Sequence, residues 1–163
     1  MLDRSLTTLT TLTALGCGVV GGVFFAFSAF VMKALGRLPP NKGIAAMQSI
    51  NTAAPTPWFM AALFGTALAC VTLAVAALFR IDEPDAVYHL VGGLLYLAVI
   101  VLTIVYHIPR NDALAAVDPD SADGASHWSY YVSAWTAWNH VRTILSIAAA
   151  GTLTIALRVG ATS

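Results

Sequence analysis

Three stretches of this chain are long, apolar and wholly free of charge: Ser5 to Met32, Gly43 to Phe79 and Ala86 to Tyr106 contain no Asp, Glu, Lys or Arg. Each is longer than the roughly 20 residues that a helix needs to cross about 30 Å of hydrocarbon. A fourth stretch, about Trp138 to Leu157, carries one charge, Arg142, in its first turn or two. Backbone in lipid has no water to bond with, so only helices or closed barrels span it. Hydrophobic residues make up 58% and charged residues 10% of the chain, whereas charged residues run near a quarter in soluble domains. The expected fold is therefore all-α, an integral membrane four-helix bundle with spans near residues 6–35, 58–79, 88–107 and 135–157. No Gly/Ser/Pro-rich linker or charge block divides the chain, so residues 1–163 are read as one transmembrane domain.

Four spans put both termini on one side of the membrane, here the near face, together with the Arg80–Asp85 loop. The far face carries the 33–57 and 107–137 connections. Lys33, Arg37, Lys42, Arg110 and Arg142 lie toward the far face against Arg4, Arg80 and Arg158 on the near face. Setting aside the two arginines of a candidate site ties this count, so the charge rule leaves orientation open. At the N-terminus, Arg4 stands beside Asp3 and the apolar run outlasts a signal-peptide core, which favours a span over a cleaved leader. The cell (inner) membrane is the expected location. Cys17 and Cys70 fall mid-span and read as small buried apolar residues rather than a disulfide. Net charge near zero offers no basic patch, so no nucleic-acid partner is expected.

Gly18-x-x-x-Gly22 in the first span has the small-residue spacing that lets helices approach closely in lipid. Packing within the bundle is the expected use, with a homo-oligomer contact as the alternative. Gly92-Gly93 should serve similarly. After the Leu38-Pro39-Pro40-Asn41 turn, Ile44, Met47, Gln48, Asn51 and Pro55 recur on one helical face. They predict a short amphipathic helix between spans 1 and 2, broken by Pro55 and Pro57, with Trp58 anchored at the interface. The near-side loop of Arg80, Asp82, Glu83, Pro84 and Asp85 reads as ordinary solvated turn, and His89 as interfacial.

Polar residues concentrate at the far mouth. Thr103, Tyr106, His107 and Arg110 share a face at the end of the third span, where Pro109 is expected to bend or stop the helix, and Asn111 and Asp112 follow. His127, Trp128, Tyr130, Tyr131, Trp135 and Trp138 form an aromatic belt leading into the fourth span. There Trp135, Trp138, Asn139, Arg142 and Ser146 share one face, while His140 points about 100° away from Asn139. An uncompensated arginine at membrane depth costs at least about 2.5 kcal/mol on insertion scales, so Arg142 calls for a buried partner or ligand.

Gly43-Ile44 through Met47-Gln48-x-x-Asn51, then Ile108-Pro109-Arg110-Asn111-Asp112-x-Leu114, then Trp135-x-x-Trp138-Asn139-His140-x-Arg142-Thr143, in that order among four apolar spans, resemble the anthrone oxygenase family. The resemblance implies oxidation of an anthrone-type phenolic substrate to a quinone by O₂, with no flavin or nicotinamide. Such chemistry needs a base, cationic donors for a phenolate, amide donors for a peroxide and an aromatic-walled cavity. His107 or His140 fits the base, Arg110 and Arg142 the phenolate donors, and Asn111 and Asn139 the amides. Trp135 and Trp138 fit the walls, with Gln48 and Asn51 as further substrate contacts. The expected partners are membrane lipid, a hydrophobic aromatic small molecule and O₂, with no cofactor. Two other classes remain open: a haem or copper redox protein with His107 and His140 as ligands, and a non-catalytic module whose far face binds lipid headgroups or another protein.

Overall fold

A computed structural model describes residues 4–162. It contains five helices: α1 (Arg4–Leu35), α2 (Pro40–Ala53), α3 (Pro57–Leu78), α4 (Ala86–Ala115) and α5 (Gly124–Thr162). All but α2 are long and apolar enough to cross a membrane. The four spans close into a ring in the order α1, α3, α4, α5, and α1 packs back on α5. Thr10 of α1 bonds His89 of α4, and further along α1 Gly21 meets Ser146 of α5. Three residues further along α1, Phe24 meets Asn139, seven residues earlier in α5, so the two helices run antiparallel and the start of α1 lies by the end of α5. The dry centre is built from Cys17, Val20, Leu73, Tyr96, Val99, Ala149 and Leu153, all fully buried. Outward, Leu15, Val19, Leu68, Val105 and Ile144 present the exposed apolar surface of a lipid-facing bundle.

Local chemistry explains several helix ends. Thr56 accepts the Phe59 N–H at 3.2 Å as N-cap of α3, with Pro57 at the first position, where a missing N–H costs nothing. The amphipathic α2 buries Ile44 and Met47 and ends at Ala53, just before Pro55. At the far end of α4, Gln48 of α2 donates to the carbonyls of Leu114 and Val117, both at 2.9 Å. Leu114 O also accepts the Val117 N–H at 3.1 Å, so the Gln48 amide adds to the closing turn and supplies a donor for Val117 O just past the helix end.

The structure corrects four expectations. The first concerns Pro109, which does not stop the third span. A π-helical turn at Thr103–His107 precedes it, and Pro109 falls in the first positions of a renewed α-helical segment running to Ala115. The winding changes just before it, with the Ile108 N–H reaching back five residues to Thr103 O, and a break of that kind in the i→i−4 ladder accommodates a residue that has no N–H to give. Secondly, the far-side connection is short: the aromatic belt lies within α5, which begins at Gly124. Thirdly, Gly18 and Gly22 face open space, with nothing within 4 Å of an added Cβ, so they are not an internal seam. The close internal approach is made by Gly93, where a Cβ would lie 2.9 Å from the Cys70 carbonyl oxygen. Finally, the near end is not simply solvated. Asp85 and His89 are 1% exposed, 3.3 Å apart, with Arg80 3.4 Å from the carboxylate.

Candidate functional site

A cavity of about 220 Å³ lies at the far end of the bundle, among α1, α3, α4 and α5, with α2 alongside. Its walls are mostly apolar, including Phe24, Phe27, Phe59, Met60, Leu63 and Trp135. Its polar lining comes from Asn51, Thr103, His107, Asn111 and Arg142. Three buried atoms in that lining have no hydrogen-bond partner: Asn51 Nδ2, His107 Nε2 and Arg142 Nε. Buried polar groups are rarely left unpaired, and three of the seven such atoms among the described residues belong to side chains of this one lining.

Arg142 is the charged member. Only 5% exposed, it donates from Nη2 to Asn139 Oδ1 at 2.7 Å and from Nη1 to Thr103 Oγ1 at 3.3 Å. Its guanidinium lies 4.2 Å above the Phe24 ring and 5.3 Å from the Trp135 ring. No carboxylate among the described residues forms an ion pair with it. Asn139 is itself held, donating from Nδ2 to Phe24 O and Ser28 Oγ, both at 2.8 Å. The Thr143 hydroxyl donates to Asn139 O, so the 3.2 Å contact between Ser28 and Thr143 must use the Ser28 proton. Asn139 therefore stands behind Arg142 and orients it, rather than lining the cavity.

His107 is 1% exposed, and its Nδ1 lies 3.2 Å from the Leu102 carbonyl oxygen. A carbonyl can only accept, so in the neutral ring Nδ1 carries the proton and Nε2 keeps its lone pair. The Trp135 ring meets the imidazole edge-on at 5.2 Å. The π-helical turn creates this arrangement: His107 closes it, and Leu102 immediately precedes it. A second π-helical turn, Phe27–Val31 in α1, lies just beyond Phe24, whose carbonyl holds Asn139. Such turns recur at functional sites because they release backbone groups and reset side-chain directions.

Asn111 accepts at Oδ1 from Tyr131 Oη at 2.8 Å and from Trp135 Nε1 at 2.9 Å. Both donors fix the amide's orientation and leave its N–H groups for the cavity. Trp128, Tyr131 and Trp135 stack along α5 with centroids 5.8 and 6.3 Å apart. Trp128 covers Gly43, where any Cβ would come 2.5 Å from the indole.

Of the residues expected at the site, His107, Arg142, Asn51, Asn111 and Trp135 meet around the cavity, with Asn139 directly behind. Four are placed elsewhere. Gln48 spends its amide on the end of α4. Arg110 lies 3.3 Å over the Tyr106 ring, outside the cavity, with Trp138 tilted on the same ring at 4.8 Å and 41% exposed. His140 is exposed beside Ser28, Lys33 and Thr136, in a separate depression. Its one-residue offset from Asn139 turns it out of the bundle. His107 and His140 are thus not gathered as a ligand pair, and no group of three His, Cys, Asp or Glu side chains suited to a metal occurs among the described residues. Phe24, Phe27 and Ser28 were not anticipated, because apolar and small residues in a span look alike whether they face cavity, core or lipid.

Comparison with known proteins adds the family. No curated protein and no solved structure matches the chain. The family model described as anthrone oxygenase matches residues 56–152, which run from the cap of α3 through His107, Asn111, Trp135, Asn139 and Arg142. With more than half of its length matched, the chain belongs to the anthrone oxygenase family.

Proposed function

We propose that this protein is a membrane-embedded oxygenase that converts an anthrone-type phenolic substrate to a quinone with O₂, working in the cell membrane. The observation that carries the reading is Arg142: a buried cation with no counter-ion among the described residues, lining the same cavity as His107, whose Nε2 has no hydrogen-bond partner. A buried cation of that kind is stabilised by an anion that enters, and a phenolate is such an anion. The family membership points the same way.

In this mechanism His107 Nε2 removes a proton from the acidic ring CH₂, and Arg142 holds the resulting oxyanion. The anion passes one electron to O₂, and the radical pair joins at that carbon. The protonated His107 returns its proton to the peroxide, which Asn111 and Asn51 orient through their amide N–H groups. Loss of the remaining C–H proton with O–O cleavage releases water and leaves the new carbonyl. One O₂ is consumed per quinone, one of its atoms is retained, and neither flavin, nicotinamide nor metal is required. The test uses purified protein in lipid nanodiscs with 1,8-dihydroxyanthrone, following O₂ uptake and quinone absorbance. Wild type should consume one O₂ per quinone, and Arg142→Lys should lose about 10²–10³-fold in rate, since a point charge does not reproduce the guanidinium fork. A wild-type rate no greater than that of empty nanodiscs would refute the proposal.

A further inference from the structure

The cavity reaches the seam between α1 and α3, with Val23, Phe24 and Phe27 on one side and Phe59, Met60, Leu63 and Phe64 on the other. Val23 of α1 and Phe64 of α3 both line it, and they are 37% and 48% exposed. Ala54, Pro55 and Ile108 of the same lining are exposed as well, but Val23 and Phe64 are the exposed lining residues that flank one seam between two spans. The seam between α1 and α3 is the most sparsely packed of the four in the ring. Phe64 is seven residues into a 22-residue span, which places it about 10 Å along a helix of about 33 Å. That depth is within the hydrocarbon, not at the headgroups.

We infer that the gap between α1 and α3, framed by Val23 and Phe64, is a lateral portal through which a planar, weakly acidic aromatic molecule dissolved in the bilayer enters the cavity. This rests on the proposed function for the identity of the ligand, but not for the opening itself. The walls immediately inside, Phe27, Phe59, Met60 and Leu63, are apolar and suit a flat ring system. Beyond them stand the Phe24 ring and the Arg142 guanidinium stacked on it. A molecule with an apolar body and one acidic oxygen is matched along this path, body toward the mouth and oxygen toward the cation. The substrate never has to cross water, where such a molecule is sparingly soluble. Phe64 and Val23 then set how wide a ring system passes.

Binding kinetics test this without turnover. Nanodisc-embedded protein is mixed anaerobically with 1,8-dihydroxyanthrone, and binding is followed by quenching of tryptophan fluorescence, since Trp135 lines the cavity. Val23→Phe, which narrows the mouth, should slow both association and dissociation by about tenfold. Phe64→Ala, which widens it, should speed both. At fixed total probe, adding empty lipid should slow association in proportion to the probe's falling mole fraction in the bilayer. Unchanged rates in both variants, or rates that follow only the aqueous probe concentration, would overturn the portal. So would a wild type that binds no probe. Portal-dependent binding without oxidation in air would leave the portal standing and remove the oxygenase.

Discussion

Arg142 is held by an amide, a hydroxyl and two aromatic faces, none of which carries a compensating charge. Each of these contacts is weaker than a buried ion pair, so the residue is retained at a cost to stability. Asn139→Ala removes the acceptor for Nη2 and the donor to Phe24 O and Ser28, and should destabilise the protein by about 1–3 kcal/mol. Arg142→Met removes the charge together with its need for partners, and should destabilise less than Asn139→Ala while abolishing turnover. Denaturant titration of the two variants in the same bilayer checks the order. At this scale the sequence was partly legible. An arginine inside an apolar span announces itself, and Asn139, three residues before it on the same face, follows from helical spacing. His107 and His140 looked equivalent, because the facing of a side chain near a span end depends on helix phase, which a break in regular winding shifts.

That break belongs to the element scale. Periodicity predicts four spans and an amphipathic helix, and the structure has both, but a π-helical turn leaves no hydropathy signature. Pro109 was the only local clue, and it points equally to a stop, a kink or a renewed segment. The turn at Thr103–His107 places Thr103 and His107 on the cavity, while Arg110 lies half-buried against Tyr106 and outside it. Pro109→Ala restores a donor for the preceding turn and should let regular α-helix spread through it. The protein should remain folded, because the substitution raises helix propensity, yet His107 should rotate away and activity should fall by at least about tenfold. Circular dichroism with activity on the same sample decides this: full activity in Pro109→Ala would show that the turn does not depend on the proline. The Gln48 cap was equally hidden, since one glutamine on a polar face fits a ligand contact as well as a helix end.

For the whole molecule, the spans are longer than the membrane requires: α4 has 30 residues and α5 has 39, or about 45 and 58 Å. Their surplus length forms the far-side cap with α2, and the cavity lies beneath it. Hydropathy fixes the number of spans but not which faces meet, and the small-residue stripe shows the difference. Gly18 and Gly22 have the spacing of a packing seam and face outward, whereas Gly93 carries a close backbone approach to Cys70. Gly93→Leu should therefore lower stability by about 1–3 kcal/mol or more through overpacking, while Gly18→Leu should change it little. Thermal unfolding in one lipid environment compares them, and equal losses would contradict the packing described.

The central claim is that the cavity's chemistry runs through His107 and not through the histidine on the outer surface. Its most direct test is the rate of 1,8-dihydroxyanthrone oxidation by His107→Gln and His140→Gln, each purified in nanodiscs and shown to be folded. Loss of the general base should cost His107→Gln about 10²–10⁴-fold in rate, whereas His140→Gln should stay within about twofold of wild type. Normal turnover in His107→Gln, or its loss in His140→Gln alone, would contradict the account.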